Sequence, residues 1–166
     1  ERFVEVMDRL RKLLEREAPV KWLFYGDSIT HGVRHTFGWR DYVELFSERV
    51  RAELGRSMDL VLNSAINGNT TRELLDGYSW RVEQFKPDVV FLMIGMNDCK
   101  DELEMSPDEF RGNLRRLFDQ NAGIGALTVF QTTCCFHFHI ASVSKLTKKV
   151  HNVSVLKRYI VWTTVA

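Results

Sequence analysis

Apolar positions along the chain recur with two periods, and the alternation between them sets the order of elements. Over residues 2–17, Phe3, Met7, Leu10 and Leu14 fall on one helical stripe among Arg and Glu, and Pro19 ends the run. Residues 20–25 form a short β-rich apolar run closed by Gly26 and Asp27, the pattern of a buried strand entering a turn. From Trp39 onward Val43, Phe46, Val50 and Leu54 recur at helical spacing, and Gly55 stands where such a helix stops. The unit then repeats. Residues 58–62 are a second apolar run, a loop follows over 63–69, and Thr70 with Glu73 makes a capping box that predicts a helix through Phe85. Residues 88–94 read as a third strand, apolar on both faces, running into Gly95-Met96-Asn97-Asp98. Ser106, Pro107 and Glu109 then cap a helix carrying Phe110, Leu114 and Leu117, and residues 126–131 read as a fourth strand. Strands alternating with helices in this way predict an α/β fold, a parallel sheet between two helical layers joined by right-handed crossovers. Beyond Thr133, residues 134–140 read as loop or strand and residues 159–165 as a last strand.

The length of 166 residues suits one domain, here residues 1–166, and 45% hydrophobic against 27% charged residues is enough for a core. The longest purely apolar run, residues 89–94, falls far short of the roughly 20 residues needed to cross a bilayer, so no membrane partner is expected. Three cysteines, Cys134 and Cys135 adjacent, do not make a disulfide framework and suit a reducing compartment, which points to the cytoplasm. Charge changes the picture more. The net charge of +1 conceals that all 22 acids lie at or before Asp119, together with all but five of the 23 Lys and Arg. The remainder is rich in Val, Thr, Ser and Lys, a composition unlike what precedes it.

In a parallel α/β sheet ligands bind at the carboxyl ends of the strands, where loops and helix N-termini converge. Three polar, glycine-containing loops fall there. Ser28 offers a hydroxyl nucleophile, Gly68 an unshielded backbone N–H, and Asn97 a side-chain amide donor; with the N–H of Ser28 the two donors would form an oxyanion hole. Singly, each is ordinary turn chemistry. Together they supply what a tetrahedral intermediate needs. Other groupings say less. His31 and His35, and His137 and His139, have spacings that invite a metal, but no third ligand is evident and none is assigned. Lys145, Lys148, Lys149, Lys157 and Arg158 lack a patterned aromatic platform and read as a solvated face rather than a nucleic-acid surface. Cys99 reads as a structural thiol, and Trp39 and Tyr42 fit core or site wall equally well.

Gly26-Asp27-Ser28-Ile29, the Gly68-Asn69-Thr70 loop and Gly95-Met96-Asn97-Asp98, in this order, resemble the first three sequence blocks of the GDSL or SGNH hydrolase family, over about residues 20–133. The resemblance implies a flavodoxin-like three-layer α/β/α sandwich, no metal or cofactor, and hydrolysis of small-molecule esters and thioesters through a serine acyl-enzyme. It makes Ser28 the nucleophile, Gly68 and Asn97 the oxyanion donors, and Asp27 and Asp98 residues that shape the site. The larger α/β-hydrolase family fits poorly, because its nucleophile elbow needs glycine where Thr30 stands.

A serine nucleophile needs a histidine base, ordinarily oriented by a carboxylate. The family takes both from a fourth block, Asp-x-x-His. No Asp precedes any of the five histidines by three residues, and no acid follows Asp119. The expectation is therefore a C-terminus truncated or altered by a changed reading frame from about residue 134. His137 or His139 would then serve as base without a carboxylate, with His151 a third candidate. The sequence points to a serine esterase for small acyl or acetyl esters. Its alternative is a catalytically inactive binding module of the same fold, or a nonfunctional product. A nucleotide-binding flavodoxin-like domain is disfavoured because no Gly-rich phosphate loop is present. Oligomeric state stays open.

Overall fold

The computed structural model describes residues 2–33 and 36–131, so the readings made for 134–140 and 159–165 lie outside the described residues. Strand β1 (Lys21–Gly26) stands at the centre of the sheet, between β2 (Leu60–Asn63) and β3 (Val89–Met93), and β4 (Leu127–Phe130) lies beyond β3. All pairings are parallel, with Phe24 opposite Asn63, Gly26 opposite Met93, and Leu92 opposite Phe130. The carboxyl ends of the four strands therefore share one edge.

Side chains alternate across β1, and both of its faces are buried. Trp22 and Phe24 point to one face, where they meet Leu10 and Leu13 of α1 (Arg2–Glu15) and Val43 and Phe46 of α3 (Tyr42–Ala52). Five aromatic rings interlock there; Phe24 stacks on Phe91 at 4.6 Å and meets Phe46 edge-on at 5.1 Å. Leu23 and Tyr25 point to the other face, against Leu74 of α4 (Thr71–Asp76), Tyr78 of α5 (Tyr78–Arg81) and Leu117 of α6 (Pro107–Gly123). These are the three layers expected from the alternation of elements. No helix among the described residues is long and apolar enough to cross a membrane.

Three helical readings shift. On α1 the sheet-facing stripe is Val6, Leu10 and Leu13, while Met7 and Leu14 are exposed. The helix's two apolar stripes share Leu10, and its rotation is set from below: Arg56 donates to the Leu14 and Arg16 carbonyls at 2.9 and 2.6 Å. The helix expected from Trp39 instead begins at Tyr42, capped by an Asp41–Glu44 box, which leaves Trp39 81% exposed ahead of it. The run expected over 70–85 starts at the predicted Thr70–Glu73 box but breaks into α4, α5 and a 3₁₀ turn (Glu83–Phe85). Gly77 interrupts it, a residue with poor helix propensity, yet Leu74, Tyr78 and Val82 keep their four-residue spacing and all face the core.

At the amino edge of the sheet two carboxylates fasten the strands. Asp59, just before β2, accepts from the Val20 amide (3.0 Å), the Trp22 indole (2.8 Å) and two Arg56 nitrogens (2.7 and 2.8 Å). Asp88, just before β3, accepts from the Lys21 amide (2.8 Å) and the Arg16 guanidinium (3.0 Å). The opposite, carboxyl edge carries the chemistry.

Candidate active site

β1 ends in Gly26 because nothing larger fits: a Cβ there would lie 2.1 Å from the Met93 carbonyl oxygen. The chain then turns at Asp27, which is fully buried and caps the one-turn helix α2 (Ser28–His31) by accepting from the Ile29 amide at 3.0 Å. Ser28 is the first residue of that turn and is half-buried.

The loop after β2 is laid directly against this turn. The Ser64 and Ile66 amides donate to the carbonyls of Phe24 (2.9 Å) and Gly26 (3.1 Å), extending the β1–β2 ladder past the strand ends. The Asn63 carboxamide donates to the Thr30 carbonyl at 2.8 Å, and the Asn67 amide donates to Nδ1 of His31 at 3.1 Å. Gly68 follows in the left-handed region, φ 86°, with no described atom within 4 Å of where a Cβ would stand. Its amide therefore lies on open surface that a ligand can approach.

The loop after β3 closes on the same segment. Asn97, half-buried, donates from Nδ2 to the Asn69 carbonyl at 2.8 Å. Its neighbour Asp98 is buried and accepts at Oδ1 from both the Thr71 amide (2.8 Å) and the Thr71 hydroxyl (2.6 Å). Asn113 of α6 completes this network by donating to the Thr71 hydroxyl oxygen at 3.0 Å. Burial pushes the Asp98 carboxyl above the usual carboxylate range, against the opposing pull of the two Thr71 bonds. The loops holding Ser28, Gly68 and Asn97 are thus joined to one another by hydrogen bonds on one edge of the sheet.

A second tie runs across the sheet. The Thr30 hydroxyl and the Tyr42 phenol are 2.9 Å apart, and the phenol donates to the Gln131 side-chain oxygen at 3.2 Å. With its single proton committed to Gln131, the phenol oxygen receives the Thr30 proton. Burial pushes Tyr42 up to about 12, so the phenol keeps its proton at any ordinary pH. Tyr42 is therefore a wall of this edge, whereas Trp39 is solvent-facing. The tie spans β3 and fixes the point at which the chain leaves β4.

Several sequence readings resolve in the same geometry. His31 is no solvated loop residue: Nδ1 accepts the Asn67 amide, so the neutral ring carries its proton on Nε2 and neither nitrogen is free to act as a base. The Cys99 thiol donates to the Gly95 carbonyl at 3.0 Å, and burial of the sulfur with Asp98 nearby pushes its pKa up, away from a reactive thiolate. Among the described residues no group of three His, Cys, Asp or Glu could hold a metal. His35, His137, His139 and His151 lie outside the described residues. Sequence reasoning missed Asn63, Asn69, Thr71, Asn113 and Gln131, whose partners are distant in the chain. It also missed Asp41, whose Asp-x-x-Glu box was legible.

Comparison with known proteins gives three findings. The model of the GDSL-like lipase/acylhydrolase family matches residues 24–149, a span that runs past residue 133 and takes in His137 and His139. An uncharacterized protein of Mycoplasma pneumoniae is 35% identical over 109 residues, covering 64% of this chain but only 12% of that protein. Among solved structures, an α/β hydrolase enzyme from the metagenome of Lake Arreo superposes with a TM-score of 0.58 at 27% identity, covering 69% of this chain and 61% of that one. A catalytic His-to-Ala mutant of an acetylxylan esterase from Geobacillus stearothermophilus superposes with a TM-score of 0.63 at 25% identity, covering 90% of this chain and 75% of the esterase. The chain therefore spans a small part of the curated relative and under two thirds of the first solved one.

Proposed function

The chain belongs to the GDSL-like lipase/acylhydrolase family, and from that premise we propose that it is a serine esterase that cleaves small acyl or acetyl esters at the Ser28 edge of the sheet. The observation that carries the reading is the 2.8 Å bond from the Asn97 carboxamide to the Asn69 carbonyl, which draws an amide donor onto the loop of Gly68. A carboxamide has two N–H groups, and this bond uses one. The other is available to a developing oxyanion, beside the amides of Gly68 and Ser28.

In this mechanism the Ser28 oxygen attacks the ester carbonyl carbon, and its proton passes to an imidazole. The carbonyl π electrons move onto oxygen, where the three donors receive them. Collapse of the tetrahedral adduct breaks the bond to the alcohol, which leaves with the imidazole's proton, and water releases the acyl group by the same steps. His31 is excluded as that imidazole by its bond to Asn67. His137 and His139 remain the candidates, on the segment that leaves β4 at the Tyr42–Gln131 tie. Acetyl esters are the first substrates to test, since the solved neighbour is an acetylxylan esterase.

p-Nitrophenyl acetate hydrolysis tests the proposal. Ser28→Ala should abolish turnover, and Asn97→Ala should lower kcat by about 10²–10³, the usual loss for one oxyanion donor. Full turnover in Ser28→Ala would remove the nucleophile assignment. A second reading, a catalytically inactive module of the fold, is favoured by one observation: these residues contain no Asp-x-x-His and no acid after Asp119. A folded chain with no turnover above buffer would support it.

A further inference from the structure

We infer that Asp98 is a positioning residue for the acyl-transfer site, gripping Thr71 so that Asn69, and through it the Asn97 carboxamide, is held in one place. The inference rests on the esterase reading for its consequence, but not for its geometry.

The argument is one of ring closure. From the Asn97 side chain a hydrogen bond leads to the Asn69 carbonyl. Two residues along the backbone is Thr71, whose amide and hydroxyl both end on Asp98. Asp98 is bonded covalently back to Asn97. This small ring leaves the carboxamide little freedom to turn, and it is dry: Asp98, Asn69 and Thr71 are all 8% exposed or less. Opening it at Asp98 would free residues 69–71 and let the amide swing.

Two features separate this role from simple helix capping. α4 already has a complete cap, because Thr70 and Glu73 form a reciprocal box at its start. Asp98 adds a second set of charge-assisted bonds to a helix that does not need them for termination. In addition, Asp98 Oδ2 is buried without a hydrogen-bond partner among the described residues. A carboxylate with one idle oxygen is an unfavourable occupant of a dry site, so packing alone does not account for it.

Asp98→Ala and Asp98→Asn, made in the full chain, test the inference by two readouts. In nuclear magnetic resonance spectra of the wild type, one Asn97 carboxamide proton should exchange slowly. In Asp98→Ala it should exchange as an exposed amide does, and the Gly68 amide should shift, while the thermal melt stays cooperative. In p-nitrophenyl acetate hydrolysis kcat should fall by about 10²-fold with KM unchanged, as for an interaction made only in the transition state. Asp98→Asn keeps an acceptor for Thr71 and should restore kcat to within a few-fold. An unaltered Asn97 carboxamide in folded Asp98→Ala would overturn the inference. So would an equal loss in Asp98→Asn and Asp98→Ala. A wild type with no turnover would refute the esterase reading while the exchange data still judge the clamp. If Asp98→Ala does not fold, Thr71→Val, which removes only the hydroxyl arm, should raise the same exchange rate; no change there would equally overturn it.

Discussion

Gly26 shows what single positions of this site are for. The neighbouring strand passes so close that a methyl group would meet backbone rather than a movable side chain, so Gly26→Ala should lower stability by about 1–3 kcal/mol and displace the Ser28 turn. A chemical-denaturation midpoint equal to the wild type's would show that β1 and β3 can separate there at no cost. At this scale the sequence was legible where a residue's role is local. Asp27 before Ser28, Thr70 before Glu73 and Ser106 before Glu109 all cap as read, because a cap and its amide are neighbours in the chain. The partners of His31, Asn97 and Asp98 were not legible. Each bonds a residue about 30 positions away, and such bonds leave no pattern in either segment.

Elements were legible to the extent that periodicity speaks. Four strands and the helix over Pro107–Gly123 lie where the apolar runs place them. The rotation of α1 was not, since two stripes sharing Leu10 are nearly equivalent until the Asp59–Arg56 cluster grips the helix's end. That cluster predicts its own energetics. Although burial alone would push Asp59 up, bonds from Arg56, Trp22 and Val20 hold its carboxyl below the usual carboxylate range. The native state therefore binds this proton less readily than the unfolded chain. The resulting stability is fully present above about pH 4, the ordinary carboxylate value, and is lost as pH falls through the lower native value. Asp59→Ala, which leaves buried Arg56 and the Trp22 indole without their acceptor, should cost about 3–5 kcal/mol by urea unfolding at neutral pH. It should also reduce the stability lost on acidification. A cost below about 1 kcal/mol, typical of an exposed pair, would show that the cluster does not hold the sheet's amino edge together.

For the molecule as a whole, parallel strand order decides where chemistry can occur. β1, β2 and β3 each end on one edge, so three short motifs spread over some 70 residues of chain meet without any long-range design beyond the crossovers. That much follows from element order alone. The base does not follow, because it depends on chain beyond β4, where no acid and no Asp-x-x-His occur. Of His137→Ala and His139→Ala, one should lower kcat by at least about 10², the lower range for a general base, and the other should not. Equal activity in both would move the base elsewhere. The most direct test of the central claim, that these loops activate one serine, is covalent labelling of the intact folded chain with a fluorophosphonate, followed by peptide mapping. A single adduct on Ser28, absent from Ser28→Ala, is the expected result; a folded chain left unlabelled at Ser28 would contradict it.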